Sequence, residues 1–182
     1  MTTTTESLIG SFTADPEHSS FEAELRHMGV GTFRTAFEAV EARLEELPAG
    51  GYELTGVAQV ESITVRRPEE FRAHVVNGED FFDATRHPQI RFRSDAIRFS
   101  GGDDVEVDGQ LTMRGIEGPV VATGTFRAPV EDIYGGRRAA LDMAATIDRR
   151  DWGFDFQAAL PGGGDVLSWE VRIAIHLELV AD

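Results

Sequence analysis

Five histidines and a few acid-rich strings are the groups in this 182-residue chain that could do chemistry. A histidine can move a proton near neutral pH or hold a metal through one ring nitrogen. His18 and His27 fall nine residues apart on one strand-like stretch, and an odd offset puts them on opposite faces. They do not converge on an ion. His74 lies in a helix-forming stretch, His87 precedes Pro88, and His176 sits on the polar side of the last alternating run. Only His27 shares the parity of Phe21 and Leu25, so it alone is placed to meet the polar head of a ligand. His18, with Asp15 and Ser19, reads as a turn fixed by side-chain to backbone hydrogen bonds.

The acids sort in the same way. Asp104-Val105-Glu106-Val107-Asp108-Gly109 begins like a calcium loop, but its twelfth position is Gly115 where a bidentate Glu is required. Valines between the acids fit a strand with one wet face instead. Asp148, Arg149 and Asp151 could form an acid-base group, and with His27 they make up the enzymatic alternative. An Arg bridging carboxylates at a strand end reads first as a barrel-closing ion-pair network. Asp80 and Asp83 flank Phe81-Phe82, acids in water over rings packed below a rim. No G-x-S-x-G, H-E-x-x-H or phosphate-binding Gly-rich string occurs. Zero Cys excludes disulfides, thiolate metal sites and a cysteine nucleophile. No catalytic residue, metal or cofactor is assigned.

All 17 basic residues are Arg, against 32 Asp and Glu, for a formal net charge of −15. A field of that sign repels phosphate backbones, so nucleic acid is excluded as a partner. Apolar residues at 41% supply a core, while no apolar run is long enough for a membrane span. The Thr-rich start carries neither basic residues nor an apolar segment, which makes the expected location cytoplasmic. Residues 1–11 read as a flexible tail and 12–182 as one domain.

Side chains with a period of two must be positioned by strands. Phe21, Ala23 and Leu25 alternate with Glu22, Glu24 and Arg26. Val105, Val107, Gly109, Leu111 and Met113 alternate with polar neighbours, as do Ala139, Leu141, Met143, Ala145 and Ile147. Trp169, Val171, Ile173, Ile175 and Leu177 form the cleanest run, and Ile90 and Phe92 form a shorter one. Gly and Pro breaks between them match an antiparallel meander. Two stretches differ. Pro68, Glu69 and Glu70 start a helix that Gly78 ends, within Pro68 to Ala84. Phe33, Phe37, Val40, Leu44 and Leu47 fit an amphipathic helix on local propensity, and a strand on alternation.

Four strings occur in a familiar order. They are Asp15-Pro16-Glu17-His18-Ser19 with Arg26-His27-Met28-Gly29-Val30, then Glu79-Asp80-Phe81-Phe82-Asp83-Ala84. Gly109-Gln110-Leu111-Thr112-Met113-Arg114-Gly115 and Asp148-Arg149-Arg150-Asp151-Trp152-Gly153 complete the set. Together they resemble the YceI-like family of lipid-binding proteins, with Phe12 where many members carry Trp and Thr35 where Gly is usual. The resemblance implies an all-β fold, an extended eight-stranded antiparallel lipocalin-like barrel with a short helical insertion. It makes Phe37–Leu47 a strand, and it implies a long-chain isoprenoid lipid as partner, with a homodimer by analogy.

A barrel interior is hollow or solid according to the sizes of its inward side chains. Ala23, Gly109, Ala139 and Ala145 leave volume; Phe21, Leu25, Ile90, Phe92, Leu111, Met113, Met143 and Ile147 supply an apolar wall. Trp152 and Trp169 wall the space, rim it, or serve as plain core. With His27 these form the expected ligand contacts of a non-catalytic carrier. A hollow barrel predicts a cavity of roughly 300 Å³ or more, and a solid one would interact only through its acidic surface.

Overall fold

A computed structural model describes residues 10–65 and 67–182. Of the expected tail, residues 1–9 lie outside the described residues. Gly10 and Ser11 are bonded to Glu46, the former donating its N–H to the carboxylate at 2.6 Å.

Among the described residues, ten strands, one helix and two short 3₁₀ turns follow one another. They are β1 (Phe12–Ala14), β2 (Ser20–His27), β3 (Gly31–Phe37), β4 (Val40–Glu46), β5 (Tyr52–Gln59), α1 (Glu69–Asn77) and β6 (Gln89–Phe99). The rest are β7 (Asp104–Met113), β8 (Ile116–Glu131), β9 (Arg137–Asp148) and β10 (Leu167–Ala181), with 3₁₀ turns at Val60–Ser62 and Arg149–Trp152. Hydrogen bonding runs β1-β4-β5-β6-β7-β8-β9-β10 and returns to β1, which closes an eight-stranded antiparallel barrel. The β2–β3 hairpin continues the β1–β4 ribbon past the ring, with β2 pairing along β10 (Ile173 opposite Ala23). Closure leaves few unpaired strand edges.

The ambiguous stretch is two strands, broken at Glu38-Ala39, where the Glu38 N–H donates to the Ser62 carbonyl. Its Glu, Ala and Leu are good helix formers. Ladders to β1 and β5 on both sides of β4, and burial of Leu44, override that preference. The helix begins after Pro68 and is capped at Gly78, where the sequence places its ends. It stops at Asn77, and the chain to Ala84 continues in turns under the barrel rim. The acidic Asp104–Gly109 string lies in β7, with Glu106 and Asp108 both bonded to Arg98 across the sheet.

The two ends of the barrel are built differently. At the end carrying turns 47–51, 100–103 and 132–136, Phe12, Leu44 and Leu179 are fully buried, and Phe99 meets Phe126 edge to face at 5.0 Å. Arg138 ties this end together. Its guanidinium binds Asp15 at 2.8 Å, Asp132 at 3.1 Å and Glu178 at 2.6 Å. The opposite end is roofed by α1, the segment after it, and residues 149–166. Rings dominate there: Phe21–Phe37 at 5.5 Å, Phe37–Phe82 at 5.8 Å and Phe82–Phe154 at 4.9 Å.

Candidate functional site

Midway between these ends the inward side chains leave a cavity. Its walls come from β2 (Phe21), β4 (Val40, Ala42), β5 (Leu54, Gly56, Ala58), β6 (Ile90, Phe92) and β7 (Val107, Leu111). Val120 and Ala122 of β8, Met143 and Ala145 of β9, and Ile173, Ile175 and Leu177 of β10 complete it. No charged side chain lines this space, and the one side-chain hydroxyl is that of Thr55. Such a wall offers apolar burial with almost no directional recognition.

The enclosed volume is about 80 Å³, or about 720 Å³ when the open mouth and the crevices between side chains are included. This falls short of the expected 300 Å³. The reason is visible at Gly109. A Cβ there would sit 2.6 Å from the Phe92 ring and 2.4 Å from the Arg93 carbonyl, so the volume Gly109 releases is occupied by Phe92. Ala139 is buried toward the closed end and does not line the cavity. Gly56 differs. An added Cβ there would make ordinary contacts, 3.8 Å from the Glu41 carbonyl and 4.0 Å from the Phe92 Cβ, so the wall at Gly56 is not overpacked.

Of the residues expected to contact a ligand, Phe21, Ile90, Phe92, Leu111 and Met143 stand on the wall. Leu25, Met113 and Ile147 share the inward parity but lie beyond the cavity's end. His27 is exposed, because β2 runs past the barrel rim before its parity can turn His27 inward; it is no part of the cavity. His18 is not on the strand at all but in the turn before it, 3.1 Å from Asp15. Trp152 is core, its indole N–H donating to the Leu111 carbonyl at 2.9 Å. Wall residues missed in the sequence include Gly56, Ala58, Val120 and Ala122. Their strands alternate poorly, because the outward Val57 and Val121 are apolar too.

The Asp148–Asp151 string does not form the anticipated network. Asp148 turns to Arg150, whose guanidinium holds its carboxyl down at about 2, and its carboxylate also accepts the Arg150 N–H at the start of the 3₁₀ turn. Arg149 continues the inward parity of Ala145 and Ile147 and is only 5% exposed. Its Nε donates to the Ser168 carbonyl at 3.0 Å and its Nη1 to the Phe154 carbonyl at 2.7 Å. Its carbon centre lies 4.2 Å from the Trp169 ring, and Nη2 is buried with no partner among the described residues. Burial pulls this guanidinium below its ordinary pKa, only partly offset by the fields of Asp148, Asp155 and Asp165. Asp151 is exposed and, like Asp148 and His27, does not line the cavity, so the enzymatic alternative has no acid-base group facing its substrate space.

The described residues with metal-like spacing are Asp15, His18 and Glu178. Arg138 already sits between the two carboxylates at hydrogen-bond distance, and a second cation there would be repelled.

Comparison with known proteins places this architecture. A UPF0312 protein of Pseudomonas savastanoi is 32% identical over 78 residues, 43% of this chain; the chain spans about two fifths (41%) of that relative's length. A UPF0312 protein of Vibrio cholerae is 24% identical over 142 residues, covering 78% of this chain and 75% of the relative. Among solved structures, Burkholderia cenocepacia BcnA superposes with a TM-score of 0.72 at 25% identity, over 93% of this chain and 99% of that one. A polyisoprenoid binding domain from Saccharophagus degradans shares the fold with a TM-score of 0.63 at 12% identity, over 96% and 100%. The profile of the YceI-like domain matches residues 12–179, nearly the whole barrel, and the chain belongs to the YceI-like family.

Proposed function

We propose that this barrel is a non-catalytic carrier that takes up the hydrocarbon tail of a long-chain isoprenoid lipid. The observation that carries the reading is the mid-barrel cavity without a single charged wall residue. Every CH₂ moved there from water gains roughly 0.8 kcal/mol, so a tail needs no polar partner along its length. The shared fold with a domain described as polyisoprenoid binding supports the same class of cargo.

Size sets a condition. A model cavity of ~150 Å³ just admits benzene, and 80 Å³ is smaller. Uptake of a long chain therefore requires the interior to widen, and the Phe21–Phe37–Phe82–Phe154 ladder is the material that can move, since its tilted and edge-to-face rings can rotate without breaking a hydrogen bond.

Organic extraction of the purified protein followed by mass spectrometry tests the proposal, together with native mass spectrometry after adding geranylgeraniol. Recovery of a polyisoprenoid, or a one-to-one complex with the alcohol, is expected. Absence of both would overturn the reading.

A further inference from the structure

Arg149 is a buried cation that no carboxylate bridges among the described residues. Two carbonyls and the face of Trp169 satisfy part of its hydrogen-bonding capacity, but all three are neutral. Burying a charge in this way is costly unless an opposite charge comes with it. A water molecule could satisfy the free Nη2 hydrogens; it would leave the net charge standing.

Arg114, in the turn between β7 and β8, adds a second cation against the same residue. It lies 5.3 Å above the Phe154 ring and donates from Nη2 to the Glu79 carbonyl. Its Nε and Nη1 are buried without a partner among the described residues. In a chain carrying −15 overall, these two guanidinium groups have no bridging carboxylate among the described residues, and Asp148, Asp155 and Asp165 reach Arg149 only through their fields.

Arg149 is also aligned with the cavity. The inward row of β9 runs Met143, Ala145, Ile147, Arg149, and that of β10 runs Ile175, Ile173, Val171, Trp169. Ala145 and Ile173 are cavity wall, and Arg149, just past the end of β9, follows Ala145 by four residues, about 13 Å along the strand direction. The ring ladder starts at Phe21 on the wall and ends at Phe154, whose carbonyl Arg149 holds.

We propose that Arg149, with Arg114 over the ring of the Phe154 whose carbonyl Arg149 holds, is the head-group site of the carrier, and that the cargo is accordingly an isoprenoid phosphate ester and not a neutral quinone or alcohol. The inference rests on the proposed tail-binding function and narrows it. A planar guanidinium with free N–H groups matches phosphate oxygens, and the neutralised pair removes the cost that the empty site carries.

The test titrates the full chain with geranylgeranyl phosphate, geranylgeraniol and inorganic phosphate. Tryptophan fluorescence is the readout, because Trp169 stacks on Arg149 and Trp152 is its only companion. The phosphate ester is expected to bind at least tenfold tighter than the alcohol, in line with a charge-assisted hydrogen bond. Arg149→Gln should erase that gap, bringing the ester-to-alcohol affinity ratio to about one, and Arg149→Lys should retain part of it. Equal affinity of ester and alcohol for the wild-type chain would overturn the head-group assignment and leave tail binding intact. Inorganic phosphate binding as tightly as the ester would overturn it too, by showing a free-anion site. If neither lipid binds, the tail-binding function is what fails, and the assignment goes with it. The wild-type ratio decides even if Arg149→Gln does not fold.

Discussion

Arg138 and Arg149 stand at the two ends of β9 and are used in opposite ways. Arg138 is partly exposed and holds three carboxylates, from the turn after β1, the β8–β9 turn and β10. Arg149 is buried and holds none. The same contrast runs through the packing around them. The end near Arg138 is filled with side chains that have nothing left to accept, Phe12, Leu44 and Leu179 among them. The end near Arg149 is a stack of rings over unsatisfied donors. One end makes the barrel close. The other keeps unspent binding capacity, which is where a ligand can gain most from what the fold leaves undone.

Breaking the closed end should cost the most. Phe12→Ala removes a fully buried ring between β4 and β10, and such truncations cost about 3–5 kcal/mol. For a domain of this length that lowers Tm on the order of 10 °C in a thermal melt. Lipid uptake per folded molecule should not change, and a parallel loss of uptake would mean that the two ends are not separable.

Two glycines sharpen the comparison at intermediate size. Gly109→Ala drives a Cβ into the Phe92 ring and the Arg93 carbonyl, an overpacking of about 1–3 kcal/mol. The Cβ of Gly56→Val meets only ordinary contacts, and valine is a residue type that strands favour, so stability should stay within about 1 kcal/mol of wild type. Its methyls project into the cavity, and geranylgeraniol affinity should fall about tenfold, since each buried CH₂ the tail can no longer place is worth ~0.8 kcal/mol. Unchanged affinity in Gly56→Val would remove the mid-barrel cavity as the tail's location.

How much of this could be read in the chain follows from which forces act locally. Strands β7, β9 and β10 were legible because one face is buried and the other wet, so polarity alternates with the pleat. β4 was not, since Glu41, Ala42, Leu44 and Glu45 favour helix until neighbouring strands claim their backbone groups. Part of the cavity wall followed from parity. Its volume did not, because a glycine tells that space is available without telling which neighbour fills it, as Phe92 does over Gly109. Arg149 was misread for a related reason. Beside Asp148 and Asp151 in sequence it looks ion-paired, but the 3₁₀ turn hands Asp148 to Arg150 and sends Arg149 inward alone.

Acid should separate the two arginines by the smallest effect. Arg138 and His18 hold the Asp15 carboxyl down at about 2, and the Tyr134 and Gly136 amides, with Arg138 behind them, lower Asp132. Both carboxyls are near 3.9 when unfolded. A depressed carboxyl contributes stability in full above its unfolded pKa and loses it as pH falls through the folded value. The wild-type Tm should therefore drop between about pH 4 and pH 2. Arg138→Met should melt lower at neutral pH, where three carboxylates are left facing one another, and its acid slope should be shallower because Asp15 no longer has its main partner. Some slope must persist, because Arg150 still depresses Asp148. Arg149→Met should stay close to the wild-type slope over the same range, because Arg149 bridges no carboxylate and its field is the smallest of the influences that lower Asp148. Melts at half-unit steps of pH measure this. If Arg149→Met flattened the slope as Arg138→Met does, Arg149 would have an acidic partner, and the difference between the two ends of the barrel would collapse.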